Sequence, residues 1–238
     1  MKLKHSTAIL IFTRTPEAEL EHKNFIPGTS SKNNKKIVRS LIQQTICTAR
    51  KTLLPVFTID ETKQIGSTFG EKFANSFQKL FDEGYEKVIA IGNDCPDITP
   101  ETLNKAIEEL NRKDIVIGPS KDEGMYLVGL TREKFSFLSF SKLPWQNKGL
   151  LLEFIRQSQK SNLSLHLLSE LIDINNFKDV QSYLKIGKIK NFFRKLLQKI
   201  VCQLTSVYFN YTAPNLVSTT IKSLVLRGPP RGPLYFQN

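Results

Sequence analysis

The sequence lacks several features that mark whole classes of protein. Its three cysteines, at positions 47, 95 and 202, form neither a metal-type spacing nor an even disulfide set, so we expect a reduced, cytosolic setting. No run of about 18 apolar residues is present, so no helix is expected to cross a membrane. The three histidines are scattered and form no Ser/His/Asp or Cys/His arrangement. Walker and dinucleotide fingerprints are also missing.

Acidic residues are missing from the end of the chain. Residues 185–238 contain nine Lys and Arg and no Asp or Glu, whereas residues 1–184 are close to neutral. We therefore predict a near-neutral domain over 1–184 and a basic appendage over 185–238. Residues 234–238 resemble part of a protease-cleavage tag and are left out of the fold prediction.

The basic appendage begins with an amphipathic pattern. Apolar residues recur at helical spacing over residues 185–204, with six Lys and Arg among them. Such a helix suits an anionic membrane surface on the cytoplasmic side, or docking on the preceding domain with its cationic face in water. Nucleic acid is disfavoured because no aromatic-interleaved platform accompanies the charges. Residues 207–211 and 216–226 are predicted as short strands.

Short apolar runs alternate with helical patterns along the first half of the chain. We predict strands at residues 8–13, 54–59, 88–91 and 114–118, and helices at residues 35–51, 70–83 and 99–111. This alternation is typical of an α/β fold with a mostly parallel, Rossmann-like sheet flanked by helices. The polar stretch 14–34 is predicted as a mobile loop. Residues 118–130 are expected to form two neighbouring strands, followed by a helix at 146–159, a strand at 163–168 and a helix near 180–186.

Two acids follow the run Val88–Ile91, in the turn that contains Asn93, Asp94 and Asp97. Acids at the carboxyl end of a buried strand lie where open α/β sheets bind their ligands. Carboxylates there suit a hard divalent cation shared with phosphates. Capping of the helix that starts after Thr99 explains the same acids equally well.

Three further features are candidate site residues. Asp122 and Glu123 precede Gly124 in a loop, and they are candidates for a general base or a sugar contact, although a solvated turn explains them too. The segment from Gln64 to Lys72 contains Gly66 and Gly70 and enters a helix, so its backbone N–H groups could hold a phosphate. Trp145 is a candidate for stacking on a base or sugar, although a core position is favoured. Cys95 is interpreted as a buried filler rather than a nucleophile.

Three motifs occur in an order that resembles a bacterial family of proposed glycosyltransferases, some linked to arsenosugar biosynthesis. They are Gln64-x-Gly66-x-x-x-Gly70-Glu71-Lys72, Gly92-Asn-Asp-Cys-Pro-Asp-Ile-Thr-Pro100 and Gly118-Pro-Ser-Lys-Asp-Glu-Gly-Met-Tyr-Leu-Val-Gly-Leu130, with Leu143-Pro144-Trp145 after them. The resemblance covers roughly residues 8–184. It implies a GT-A-like fold of the nucleotide-diphospho-sugar transferase superfamily.

The resemblance also implies a chemistry. It assigns Mg²⁺ or Mn²⁺ to Asp94, a nucleotide-sugar donor, and an unidentified small-molecule or lipid-linked acceptor. Asp122 matches the acid of the family's Asp-Gly-Gly-type loop, which makes Asp122 and Glu123 the expected catalytic residues. The expected nucleotide- and sugar-binding residues are Arg14, Gln64, Gly66, Gly70, Lys72, Asn93, Asp97, Gly124 and Trp145.

The chain departs from the family in the segment after the first strand. The family's Pro-Gly-x-x-Lys-Thr-Arg-type loop is replaced by Arg14-Thr-Pro-Glu-Ala-Glu-Leu-Glu-His-Lys23, which has three acids and no glycine. Acids near a nucleotide phosphate repel it unless a cation intervenes, and Arg14 and Lys23 carry compensating charge. Two alternatives to a metal-dependent glycosyltransferase therefore stay open. One is a nucleotidylyltransferase, and the other is a degenerate homologue that binds a membrane or partner.

Overall fold

One mixed sheet organises the protein, whose computed structural model describes residues 5–28, 31–135, 140–186 and 192–211. Within these ranges the six strands lie in the order β2-β1-β3-β5-β4-β6. They are β1 (Thr7–Phe12), β2 (Val56–Ile59), β3 (Lys87–Ile91), β4 (Ile115–Pro119), β5 (Met125–Thr131) and β6 (Leu165–Leu167). All pairs are parallel except those of β5, which runs antiparallel to β3 and β4. The predicted α/β class and mostly parallel sheet are confirmed.

Helices cover both faces of the sheet. The described helices are α1 (Pro16–His22), α2 (Ser31–Arg50), α3 (Phe69–Asp82), α4 (Pro100–Glu109), α5 (Arg132–Phe135), α6 (Leu150–Lys160), α7 (Phe177–Ile186) and α8 (Phe192–Tyr211). Helix α6 begins four residues later than predicted, because Gly149 occupies its N-cap in a left-handed conformation with φ of 81°. The pair β4 and β5 confirms that residues 118–130 form two neighbouring strands.

Side chains of the central strands alternate between two cores. Leu10 and Val88 pack in a cluster with Phe77 of α3, whereas Ile9 and Ile89 pack on the other face with residues of α4. Successive side chains of a strand point to opposite faces, so strands buried on both faces need continuous apolar runs. The carboxyl ends of β1, β2, β3 and β4 therefore meet at one edge of a rigid sheet.

The prediction of a mobile loop over residues 14–34 is wrong. Thr15 caps α1 with its side chain and Pro16 starts the helix, two strong start signals that the high polarity of the stretch obscured. Phe25 and Ile26 are fully buried, and the Asn34 side chain accepts a hydrogen bond from the Ile26 N–H at 3.0 Å. These buried anchors hold the segment after β1 in a fixed position.

The basic appendage is only partly described. Residues 192–204 lie in α8, as predicted, but residues 207–211 continue that helix, so the predicted strand there is wrong. The second predicted strand, 216–226, lies outside the described residues. The chain divides into two compact units, residues 1–198 and 199–238. No helix in the described ranges is both long and apolar enough to cross a membrane.

Candidate active site

A cleft of about 480 Å³ opens at the carboxyl edge of β1 and β3. Its walls come from the segment after β1, the connection from β2 to α3, and the turn after β3. The lining residues are Phe12, Thr13, Arg14, Glu19, Lys23, Glu61, Gln64, Ser67, Phe69, Lys72, Asn93, Asp94, Gln146 and Asn175. Of the residues expected at the site, Arg14, Gln64, Lys72, Asn93 and Asp94 are brought together here.

Lys23, the residue that follows α1, places its ammonium group in this cleft. The Nζ atom of Lys23 lies 2.5 Å from Asp94 Oδ1 and 2.6 Å from Glu19 Oε1. The Lys23 and Glu19 side chains are only 11% and 5% exposed, whereas that of Asp94 is 32% exposed. The acid after β3 therefore already has a positive counter-charge that comes from the segment after β1.

Burial and charge act against each other in this cluster. Burial raises the pKa of Asp94, and the positive charge of Lys23 lowers it in part. Burial also opposes the charge of Lys23, but the negative charges of Asp94 and Glu19 outweigh it and raise the pKa of Lys23. Lys23 therefore remains an ammonium ion at neutral pH.

The acids of the segment after β1 do not leave negative charge unpaired in the cleft. Glu19 pairs with Lys23 and with Arg14, whose Nη1 lies 3.7 Å from Glu19 Oε2. Glu17 pairs instead with Lys35 of α2. The negative charges of Glu19 and Glu17, which were expected to repel a phosphate, are therefore offset by these cations. Arg14 also lines the cleft.

Glu61 anchors the start of α1 from the neighbouring loop. It accepts hydrogen bonds from the Thr15 N–H at 2.6 Å and from the Thr15 hydroxyl at 2.5 Å. Burial raises the pKa of Glu61, but these hydrogen bonds outweigh it, so the pKa lies below its ordinary value. The connection after β2 thus helps to hold α1, and with it Lys23, against the sheet.

Asn93 and Asp97 have different surroundings although both follow β3. Asn93 is 4% exposed, its Oδ1 accepts a hydrogen bond from the Thr13 hydroxyl at 2.9 Å, and its Nδ2 has no acceptor in the described protein. A buried amide without a partner at the wall of a cleft is suited to bind a ligand oxygen. Asp97 is not among the residues lining the cleft, because its Oδ1 accepts a hydrogen bond from Tyr183 of α7 at 2.9 Å.

The segment from Gln64 to Lys72 contributes side chains rather than an open phosphate loop. Gln64 Nε2 donates to the Thr13 carbonyl at 2.9 Å, and Lys72 lines the cleft. The N–H groups of Ser67 and Thr68 donate to Glu71 Oε2 in a capping box, so a carboxylate already occupies this helix start.

The two glycines of this segment serve packing and turning. A Cβ on Gly70 would lie 2.2 Å from the Ser141 carbonyl oxygen and 2.7 Å from Trp145 Cδ1, so only glycine lets α3 approach this wall. Gly66 has φ of 132°, which a side chain rarely adopts. Neither glycine lines the cleft itself, but both set the backbone path of the segment that does.

Trp145 forms part of the wall rather than a free stacking platform. Its indole N–H donates to the Phe140 carbonyl at 2.7 Å, and its ring packs against Phe69 and Phe73. It also borders an inner pocket of about 200 Å³ that shares Asn93 and Asp94 with the cleft. Cys95 is buried, and burial raises the pKa of its thiol, which fits the filler interpretation.

Asp122 and Glu123 lie in the turn between β4 and β5, outside the residues that line the cleft. Asp122 Oδ1 accepts hydrogen bonds from the Ser120 hydroxyl at 2.5 Å and from the Gly124 N–H at 3.2 Å. Glu123 adopts φ of 67°, and its Oε2 lies 3.4 Å from the Gly149 N–H. The catalytic role expected for this loop remains a prediction.

Asp173, after β6, forms a carboxyl pair with Asp122. Burial, followed by the hydrogen bond and charge of Asp122, raises the pKa of Asp173 to about 7. Burial acts in the same sense on Asp122, but hydrogen bonds from Asp173 and Ser120 outweigh it and lower the pKa of Asp122. The pair therefore holds one exchangeable proton near neutral pH.

The carboxyl pair connects to the cleft through Asn175. The Asn175 Nδ2 donates to Asp173 Oδ2 at 2.8 Å, and Asn175 itself lines the cleft. The neighbouring Ile174 N–H donates to the Asp94 carbonyl oxygen at 2.9 Å. Asp173 and Asn175 were not predicted as site residues, although Asp173, like Asp94, is an acid that follows a predicted strand.

The carboxylate of Asp94 could bind a metal ion whose other ligands are not protein side chains. Among the described residues, no group of three or more His, Cys, Asp and Glu side chains converges on a common point. Mg²⁺ is commonly held by one or two carboxylates, with substrate phosphates and water filling the other positions. Asp94 therefore fits an ion that is shared with a bound diphosphate, and not one held in a closed protein cage.

Known structures share this arrangement of elements. A protein from Desulfovibrio desulfuricans G20, provisionally described as a nucleotide-diphospho-sugar transferase, has a TM-score of 0.74 at 20% identity, covering 85% of this chain and 98% of its own. The chain shares the fold of that protein. A cytidylyltransferase from Leptospira borgpetersenii has a TM-score of 0.50 at 14% identity, covering 89% of this chain and 100% of its own. At these identities the likeness shows the fold alone.

Sequence comparison adds a partial family match. Residues 45–147 match the family described as "uncharacterized protein conserved in bacteria" (DUF2064). No curated protein matches the chain. The matched region includes the cleft residues from Glu61 to Gln146 and excludes both α1 and Lys23, which follows it.

Proposed function

We propose that the protein is a glycosyltransferase that takes a sugar from a nucleotide-diphospho-sugar donor and passes it to an unidentified acceptor. The observation that carries this proposal is the cleft at the ligand edge of the sheet, whose lining brings Arg14 and Lys72 together with Asp94. Nucleoside diphosphates carry concentrated negative charge, which Arg14 and Lys72 at the cleft wall would attract. The fold shared with the protein from Desulfovibrio desulfuricans adds support.

Asp94 would hold Mg²⁺ or Mn²⁺ on the donor diphosphate. The ion, when bound, supplies neutralisation of charge on the departing nucleoside diphosphate. Arg14 and Lys72 would bind phosphate oxygens directly, and Asn93 Nδ2 would donate to a sugar or base oxygen. Phe69 and Trp145 border the space beside these groups and would exclude water from it.

The Asp122–Asp173 pair is our candidate for proton transfer. Glycosyl transfer requires removal of a proton from the acceptor hydroxyl, and a base whose pKa lies near neutrality performs this most efficiently. Asn175 links the pair to the cleft, so an acceptor that binds beside Asn175 would be within its reach. Glu123 would contact the acceptor or the donor sugar from the same loop.

A nucleotidylyltransferase is the competing proposal, and a product assay separates the two. A thermal-shift screen of nucleotide sugars and nucleoside triphosphates, with and without Mn²⁺, first identifies the ligand. Incubation with the ligand that binds, with water as the acceptor, then releases a nucleoside diphosphate from a nucleotide sugar in a glycosyltransferase, and pyrophosphate from a nucleoside triphosphate in a nucleotidylyltransferase. A well-folded protein that binds no nucleotide would contradict both and leave a binding role for the degenerate homologue.

A further inference from the structure

The ammonium group of Lys23 lies where a metal ion would be expected. Its Nζ atom contacts one oxygen of Asp94 and one of Glu19, at 2.5 and 2.6 Å. Divalent cations bind carboxylate oxygens at about 2.0–2.6 Å, depending on the ion. Two carboxylate oxygens that converge on one buried cation form a pocket that either kind of cation can fill.

One cation is required at this position. Glu19 is 4% exposed and its Oε1 contacts the same ammonium group as Asp94 Oδ1, so two uncompensated carboxylates here would be costly. Arg14 is farther from the cluster, with its Nη1 3.7 Å from Glu19 Oε2. Lys23 supplies the needed charge from within the chain, so the cluster is balanced before any ion arrives.

We propose that Lys23 is an internal counter-ion that keeps free divalent cations off Asp94. A divalent ion gains access only when an anionic phosphate in the cleft draws the ammonium away, so the ion and the diphosphate bind cooperatively. This coupling is reciprocal, because each ligand helps to displace Lys23 and so raises the affinity of the protein for the other. The proposal rests on the proposed function for the assignment of Asp94 as the ligand of the ion.

The closing experiment needs only the protein and Mn²⁺, so it does not depend on the identity of the nucleotide. Free Mn²⁺ is quantified by its electron paramagnetic resonance signal during titration of the full chain. We expect the wild type to bind Mn²⁺ weakly, and Lys23→Met to bind it at least tenfold more tightly, because both carboxylates are then open to the ion. Lys23→Met/Asp94→Asn should lose this gain.

A second variant covers the case in which Lys23→Met does not fold. Glu19→Gln/Lys23→Met removes one positive and one negative charge, so the charge balance at Asp94 is kept close to that of the wild type. It leaves one free carboxylate, so its Mn²⁺ affinity should lie between those of the wild type and Lys23→Met. Equal affinities in the wild type and in both Lys23 variants would overturn the proposal, as would a gain that survives Asp94→Asn.

The same titrations keep the two proposals separate. If the wild type binds no nucleotide sugar but Lys23→Met gains Mn²⁺ affinity through Asp94, the proposed function fails and the counter-ion role stands. If nucleotide sugars bind and Lys23→Met leaves Mn²⁺ affinity unchanged, the counter-ion role fails and the proposed function stands.

Discussion

The Nζ atom of Lys23 lies 2.5 Å from Oδ1 of Asp94, which joins the end of α1 to the turn after β3. This contact balances the charges of Asp94 and Glu19 without a ligand. The cations that remain for phosphate recognition are then Arg14 and Lys72 at the wall, with Lys23 released on binding. Each of these roles can be tested separately.

Lys72 should contribute to nucleotide affinity through its charge. Loss of a hydrogen bond between charged groups costs about 1.5–3 kcal/mol, so Lys72→Ala should raise the Kd of a nucleoside diphosphate about tenfold or more. Isothermal titration calorimetry at two salt concentrations measures this, and the salt dependence of Kd should also weaken.

Lys79→Ala is the matched control for Lys72→Ala. Lys79 lies on the same helix, α3, but is exposed and is not among the residues that line the cleft. Its removal changes the net charge equally and should leave Kd unchanged within twofold. If both variants weaken binding to the same extent, general charge rather than a contact in the cleft explains the effect.

Asp173 should make the stability of the fold depend on pH. Its pKa is raised to about 7 in the folded protein, so between about pH 4 and pH 7 the folded state binds more protons than the unfolded state. The free energy of unfolding therefore falls as pH rises through this window. Asp122, whose pKa is lowered, is ionised in both states there and adds no opposing slope.

Asp173→Asn should remove most of this slope. The variant should gain stability relative to the wild type as pH rises from 5 to 8, by a few degrees in Tm, since about 1 kcal/mol corresponds to 2–4 °C for a chain of this size. Thermal unfolding monitored by circular dichroism at several pH values measures the difference. A difference in Tm that stays constant with pH would show that Asp173 does not titrate in this range.

An apolar groove on the other side of α2 bears on the expected contact with membranes. Phe192 and Leu196 of α8 line this groove of about 760 Å³ together with Ile42, and Lys36 and Arg39 stand beside them. Phe192 is 75% exposed. Exposed apolar side chains flanked by cations suit the surface of an anionic bilayer. We therefore expect the full chain to float with vesicles that contain anionic lipid at low salt.

Phe192→Glu should weaken this association about tenfold, because it removes a large apolar side chain and adds a negative charge. Leu152→Glu is the control, since Leu152 is 71% exposed on α6 and does not line the groove. No flotation of the wild type would exclude membrane contact under these conditions. Equal loss in both variants would exclude a specific role for the groove.

The fold could be predicted from sequence because its central strands are apolar and the starts of α3 and α4 carry capping residues. The run Val88–Ile91 predicts β3, and Thr99 followed by Pro100 predicts the start of α4. The segment after β1 could not be predicted, because its order depends on contacts distant in sequence. Examples are the hydrogen bonds from Thr15 to Glu61 and the burial of Phe25.

The candidate site could be predicted in part, since Arg14, Gln64, Lys72 and Asn93 were expected in it and Asp94 fits the rule that site acids follow strands. Asp94 was found by this rule, but its partner Lys23 was noted only as a compensating charge, because nothing in the spacing shows that α1 folds back onto the turn after β3. Asp173 was missed because β6 is short and the acid that follows leads into a helix. Asp97 was included because it lies near Asp94 in sequence, yet Tyr183 binds it outside the cleft lining.

The central claim is that Asp94 holds a divalent ion on the diphosphate of a nucleotide-sugar donor. Crystals soaked with Mn²⁺ and the nucleoside diphosphate that binds most tightly, and measured for anomalous scattering, test this most directly. We predict a manganese peak between Asp94 and the diphosphate, with the Lys23 ammonium moved off Oδ1. A diphosphate bound in the cleft with no manganese at Asp94, or with Lys23 still on Oδ1, would contradict the account.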